Sequence, residues 1–379
     1  MGNGLRIFLT VAAVLGALAT AALSKSQAAH LYVSPKGSDQ AQCTRQQPCR
    51  TISRAVALAH PGDQVDVAAG IYTEEVRLTK RLELIGSHTP EIRAKGRARG
   101  ILIQGAGAAG SLVRGFLVEG ARYEGILALS TQRVTIAKNV VRHNDRGFFE
   151  KKFTGECAYN GQPPVAHTAD LRAGGCGEAI HLASTSNSRV IGNLVTDNTG
   201  GIYLTDESGP ASHNLVASNV VEQNPFDCGI TLASHSRRTV SQQGRPLRAA
   251  GGVYDNTITH NIASLNGLRV PGAGVLVAAA YPGGAAYNNR IVANTINENG
   301  LPGVALHSHA SRQYLDGNVI LNNIVGRNAL GSPSSGPGDG DGGVKRTTGI
   351  LVWSWVTKIT GTRIAGNRIS HDYFGIWTK

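Results

Sequence analysis

"VIGNLVTDN" (190–198) and "VASNVVEQN" (216–224) stand 26 residues apart and agree at every apolar and Asn position of the pattern [V/I]-x-x-N-x-[V/I]-x-x-[N/D]. Five further copies follow the same rule: "IAKNVVRHN" (136–144), "VYDNTITHN" (253–261), "IVANTINEN" (291–299), "ILNNIVGRN" (320–328) and "IAGNRISHD" (364–372). Each copy supplies two short apolar segments joined at an Asn, a residue that tolerates a sharp left-handed bend. The spacing predicts that Asn139, Asn193, Asn219, Asn256, Asn294, Asn323 and Asn367 stack as one ladder. A third segment of the form G-[I/V]-x-[L/V] accompanies each copy: "GIYL" (201), "GITL" (229), "GVLV" (274), "GVAL" (303) and "GILV" (349), with "EAIHL" (178) as a variant.

Three short strands per repeat, bends at Gly and Asn, and no helical stretch between strands predict an all-β chain. It is a right-handed parallel β-helix solenoid whose rungs stack about 4.8 Å apart. Near the start, "TISRAVALAHPGDQVDV" (51–67) spaces Ile52, Ala55, Val56 and Ala59 as a helix does, with Thr51 as N-cap and Pro61-Gly62 as the stop. That short helix is expected to cover the apolar N-terminal end of the solenoid. The first strands then come in "QVDV" and "LELIG". At the other end, "FGIWTK" enters one more strand of the Gly type, and Phe374 and Trp377 are expected to fold over the exposed rung, or two chains to meet there, giving a monomer or an end-to-end dimer.

Residues 1–28 read as a secretory leader: Arg6, the apolar run "IFLTVAAVLGALATAAL", then small residues at Ser26 and Ala28. The remainder, 29–379, is expected to be one domain with long loops inserted at 145–176, 236–250 and 331–347. Without the leader, 35 basic residues face 25 acidic ones. A basic exported protein suits polyanions, acidic polysaccharides above all. No basic run is interleaved with aromatics, so nucleic acid is not an expected partner, nor is a membrane beyond the leader. In an exported chain, cysteines suggest disulfides; nearness in sequence pairs Cys43 with Cys49 and Cys157 with Cys176, leaving Cys228 as a buried thiol.

The opening "LYVSPKGSD…CTRQQPCRTISRAVALAHPGDQVDVAAGIYTE" and the Asn repeats behind it resemble the pectate-lyase-like superfamily of β-helix proteins, with their carbohydrate-binding and sugar-hydrolase repeats. The resemblance covers nearly the whole chain after the leader. It implies the solenoid fold; lyases, epimerases, hydrolases and proteins without catalysis share it. The chain lacks an Asp-Pro-His-Asp run of the alginate-epimerase type and the paired Asp with Gly-His-Gly of polygalacturonases. It also lacks a calcium-binding acidic cluster with a nearby Lys, so no family catalytic residue carries over.

The candidate site comes from alignment on the Gly of each G-[I/V]-x-[L/V] strand, which lines outward positions into columns. The third position reads Leu127, His181, Tyr203, Thr231, Leu276, Ala305, Leu351; the fifth reads Leu129, Ala183, Thr205, Ala233, Ala278, His307, Trp353. The seventh reads Thr131, Thr185, Glu207, His235, Ala280, His309, Trp355. On this solvent-facing strip, His181 beside Tyr203 and Glu207 beside His235 are the expected acid and base groups. Asp206, His307, His309, Trp353, Trp355 and the loop residues Arg237 and Arg238 are the expected substrate contacts, the guanidiniums for carboxylates and the indoles for sugar faces.

A metal at His307 and His309 lacks a third ligand, because Ala280 separates them from His235. No cofactor is expected. For calcium only Asp339 and Asp341 in "GSPSSGPGDGDGG" (331–343) offer oxygens, without ligand spacing, and that stretch reads as a linker. The functions that fit are a secreted or periplasmic lyase or epimerase-like enzyme on a uronate polysaccharide, a non-catalytic glycan-binding or cell-envelope protein, or a periplasmic metal-maturation accessory protein.

Overall fold

The computed structural model describes residues 1–2, 28–145, 178–308, 310–330 and 346–378. Short strands follow one another around a solenoid and pair only with the strands one turn before and after, always in parallel. They line up as an 11-stranded sheet from His30–Val33 to Arg363–Ala365 and two 10-stranded sheets. Among the described residues a small fourth sheet joins Ala211–Ser212, Val253–Tyr254 and Ala286–Tyr287. The parallel β-helix expected from the repeat is the fold. Its lumen is one continuous apolar column in which Ile126, Ile180, Ile202, Ile230, Val275, Val304 and Ile350 are fully buried, one per turn.

The Gly of the third strand type has a steric cause. A Cβ on Gly201 would stand 2.0 Å from the carbonyl oxygen of Gly229 in the next turn, and one on Gly229 would stand 2.9 Å from that of Gly274. Successive turns approach too closely there for a side chain.

Asn ladders exist, but two details differ from the sequence expectation. There are three of them among the described residues, five residues apart along the chain. Asn139, Asn193, Asn219, Asn261, Asn294, Asn323 and Asn367 form one, each amide bonding the next. Asn256 belongs instead to a ladder with Asn214, Asn289 and Asn318, and its expected place is taken by Asn261. The left-handed residue, moreover, is the one before each Asn: Lys138, Ser218, His260 and Ala293 have φ of 55°, 56°, 54° and 57°. That residue turns the chain so that the Asn points inward, where its amide satisfies buried backbone groups in the bend.

The N-terminal helix spans Ile52–Leu58, with Thr51 accepting from the Arg54 N–H at 3.2 Å, and Ile52, Ala55 and Val56 enter the core cluster. Cys43 and Cys49 form a disulfide, and Cys228 is a buried free thiol. The proposed partners Cys157 and Cys176, the leader apart from its ends, and almost all of the 145–176 and 331–347 insertions lie outside the described residues. Phe374 and Trp377 do not cover the lumen. They lie on the outward column with Leu351 and Trp353, because Trp377 pairs in register with Leu351. Among the described residues, no helix is long and apolar enough to cross a membrane.

Candidate functional site

The 10-stranded sheet that runs from Val76–Leu78 to Phe374–Thr378 carries the strip, and its register is the one expected. His181 pairs with Leu127 and Tyr203, Tyr203 with Thr231, and Ala278 with His307, which pairs with Trp353. Exposure is where expectation fails. Tyr203, His181, Asp206, His307 and Trp353 are buried, between 0% and 4% exposed, whereas Trp355 is 65% exposed. Rings on neighbouring rungs cover each other: His181 meets Tyr203 edge-on with centroids 6.0 Å apart, and His307 meets Trp353 at 6.2 Å.

A line of hydrogen bonds crosses three rungs. Thr205 Oγ1 donates to Glu207 Oε2 at 2.6 Å, and Glu207 Oε1 lies 2.7 Å from His235 Nδ1. His181 Nε2 stands 2.7 Å from the same Thr205 oxygen. A hydroxyl has one proton, already given to Glu207, so Thr205 accepts from His181 Nε2–H and Nδ1 is the acceptor nitrogen of that ring. Burial lowers the His181 imidazole to about 4, and the ring is neutral. Burial alone would raise Glu207, but the hydrogen bond and charge of His235 outweigh it and hold the carboxyl below its usual value. An ionised Glu207 thus orients His235 through Nδ1, which leaves base chemistry to Nε2 on a side chain 29% exposed.

Asp206 does not fit the expected substrate contact. Its carboxylate takes hydrogen bonds from Ser234 Oγ at 2.8 Å, His235 N at 2.6 Å, Ser236 N at 3.1 Å and Gly252 N at 2.6 Å. Those bonds hold the turn that presents His235 and close the base of the 236–250 loop. The loop is also pinned by Thr239, whose N–H and hydroxyl donate to Gly283 O at 3.0 Å and 2.9 Å. Arg237 lies over the Tyr281 ring at 4.3 Å and Arg248 over Tyr254 at 4.9 Å; Arg237 and Arg238, two and three residues after His235, are exposed. His309 lies outside the described residues. His307 sits three rungs beyond Thr205 and two beyond the strand that leads into His235, so the strip divides into a His181–Tyr203–Glu207–His235 patch and a His307–Trp353–Trp355 patch about 10 Å away at their nearest rungs.

Four residues of the first patch carry no signal in the columns used above. Arg99, Glu124 and Glu178 are lateral neighbours at the start of their strands, and Arg99 Nε is 2.8 Å from Glu124 Oε2, close but misaligned for a hydrogen bond. Extending the alignment one place before the Gly exposes that column, as "EGIL" (124) and "EAIH" (178). The fourth is Asp227, which accepts a hydrogen bond from the Tyr203 hydroxyl. Burial, then the Asp227 charge, pushes the Tyr203 phenol well above its usual value, so Tyr203 holds its proton and acts as a donor.

Burial also raises Asp227 itself, from 3.8 to about 6, against bonds from Tyr203 and the Cys228 N–H. The fold therefore binds a proton that the unfolded chain has released. This contribution to stability is full below the ordinary value and is lost as pH rises through the folded one. Asp227→Asn keeps an acceptor and carries no charge, so it is expected to gain about 2 kcal/mol over the parent between about pH 4 and pH 7. Urea unfolding of both proteins across that range checks it; a constant difference would mean that Asp227 does not titrate there.

A model of the right-handed beta helix region matches residues 94–245. Among solved structures, the chain is similar to the pectate lyase Pel9A at 15% identity, with 90% of this chain and 80% of that one covered and a TM-score of 0.52. It is also similar to the A-module of the Azotobacter vinelandii mannuronan C-5 epimerase AlgE6, at 15% identity, with 86% and 84% covered and a TM-score of 0.51. At that identity the likeness is one of fold. No curated protein matches the chain by sequence.

Proposed function

We propose that the chain is an exported enzyme, secreted or periplasmic, that removes the proton beside the carboxylate of an acidic, uronate-type polysaccharide, as a lyase or epimerase. The observation that carries the proposal is the Glu207–His235 pair at 2.7 Å, followed two and three residues along the chain by the exposed Arg237 and Arg238. His235 Nε2 takes the C5 proton, and the electron pair left behind is stabilised as an enolate of the carboxylate that a guanidinium neutralises. Elimination follows if the C4–O bond breaks and its oxygen is protonated; epimerisation follows if C5 is reprotonated from the other face. Tyr203, which keeps its proton, is the donor for either outcome once its hydroxyl turns from Asp227 to the substrate. A basic net charge and the leader-like start agree with an acidic substrate outside the cytoplasm.

Burial of Tyr203 and His181 favours a second reading, a glycan-binding protein that grips acidic chains at the exposed Arg and Trp355 side chains without turnover. Incubation with a panel of polyuronates, followed by ultraviolet absorbance of unsaturated products and by solvent-deuterium incorporation at C5, separates these. New absorbance selects the lyase and deuterium alone selects the epimerase. Retention on a polyuronate column with neither signal selects the binder, and neither turnover nor retention removes both.

A further inference from the structure

Glu124 and Glu178 face each other as registered partners on adjacent strands, with 2% and 3% of their surfaces exposed. Like charges in that arrangement repel, and burial strengthens the repulsion. Arg99 stands on the far side of Glu124 and answers one of the two charges. Glu178 Oε2 is buried and has no hydrogen-bond partner. The third member is His181, whose Nδ1, the acceptor nitrogen, stands 3.9 Å from Glu124 Oε1. One ligand atom from each of Glu124, Glu178 and His181 lies within 4.8 Å of the other two.

From this convergence we infer that Glu124, Glu178 and His181 form a binding site for a divalent first-row transition cation of the zinc class. A zinc ion about 2.1 Å from each ligand atom holds those atoms about 3.4 Å apart in a tetrahedron, so a small closing movement of the three side chains suffices. Two carboxylates and a neutral imidazole are a borderline donor set. Calcium takes oxygen ligands, more of them, at longer distances, and is discriminated against here. The cation supplies the charge that Arg99 alone does not, between two glutamates the fold has already brought together. Thr205 fixes the ring of His181 in the required tautomer by accepting from Nε2–H, the second-shell arrangement that metal-bound imidazoles use. The sequence patterns set a metal at His307 and His309 aside for want of a third ligand and gave no sign of this cluster.

The test needs no polysaccharide, so its failure and that of the proposed activity are separable. The purified full chain, stripped with chelator, is titrated calorimetrically with zinc chloride and, separately, with calcium chloride. One zinc per chain is expected to bind at least 100-fold more tightly than calcium and to raise the Tm. Glu178→Gln and His181→Gln should each weaken zinc by more than the ~10–100-fold that loss of a second-shell partner costs. His213→Ala, in a half-exposed pair with Asp255, should leave zinc binding unchanged. Without metal, Glu178→Gln should melt no lower than the parent, since it removes the repulsion, and zinc should shift its Tm less. Absence of saturable zinc binding, calcium binding as tight as zinc, or zinc affinity that survives both substitutions would each overturn the site.

Discussion

Replacing Asn219 by Val lowers the unfolding free energy by about 4 kcal/mol, read as a shift of the urea midpoint. Asn219 Nδ2 donates to Val190 O and to Asn261 Oδ1, both at 2.9 Å, while Asn219 Oδ1 accepts from Asn193 N and Asn193 Nδ2, also at 2.9 Å. Valine leaves the Asn193 N–H, one Asn193 amide proton and the Val190 carbonyl buried without partners, at about 1–3 kcal/mol each. The loss sits in the middle of the stack, where each turn is held by its neighbours. Asn219→Gly should be as damaging as Val, because the amide and not a left-handed φ is what the position requires. Ser218→Gly should be neutral or stabilising by up to about 1 kcal/mol, because Ser218 is the residue at φ 56°. An Asn219→Gly chain as stable as the parent would return the bend to the Asn itself.

The slip between Asn256 and Asn261 shows how far the repeat is legible. Asn recurs every five residues in Asn214–Asn219–Asn224 and again in Asn256–Asn261–Asn266, so the pattern can be laid on successive bends; Ala263 stands where it asks for Val or Ile, and the copy at 253–261 therefore falls one bend early. The Gly strands do not suffer from this. Most turns have a Gly at a backbone contact that excludes a Cβ, with Ala179 standing in for it in the turn of His181, and alignment on that position gave the true lateral partners of His181, Tyr203 and His307. Side-chain direction follows from parity along a strand and was readable from the same alignment. Exposure does not follow from parity, because a side chain pointing outward on a solenoid is covered when the rungs beside it carry rings, as His181 and Trp353 show.

The chemistry of the site was legible where it depended on stacking and hidden where it depended on turns. Glu207 beside His235 follows from counting to the seventh position with each Gly as the first, and the 2.7 Å contact is the result. Asp206 lies one place earlier, and its role depends on backbone N–H groups of a turn and of Gly252, 46 residues further along the chain. No column could show that. Asp227 and the Glu124–Glu178 pair escaped because they precede the Gly, where the strand emerges from the bend and the period-2 rule has not begun to hold.

His235→Ala is expected to lower kcat on a polyuronate by about 100-fold or more, the usual cost of losing a general base. The melting temperature should move little, since the side chain is partly exposed and the turn beneath it is held by Asp206 through backbone N–H groups that alanine keeps. Tyr203→Phe should suppress turnover as well, and it should also cost about 1 kcal/mol of stability, because the buried hydroxyl bonds Asp227. His307→Ala changes a side chain two rungs beyond that of Ala233, the strand that leads into His235, a separation of about 10 Å that permits no direct hydrogen bond. Its effect should fall on KM and leave kcat near the parent value. Initial rates over a range of substrate concentrations separate the two parameters. Turnover that persists in His235→Ala and disappears in His307→Ala would move the catalytic centre to the His307–Trp353 patch and leave Glu207–His235 as a surface ion pair.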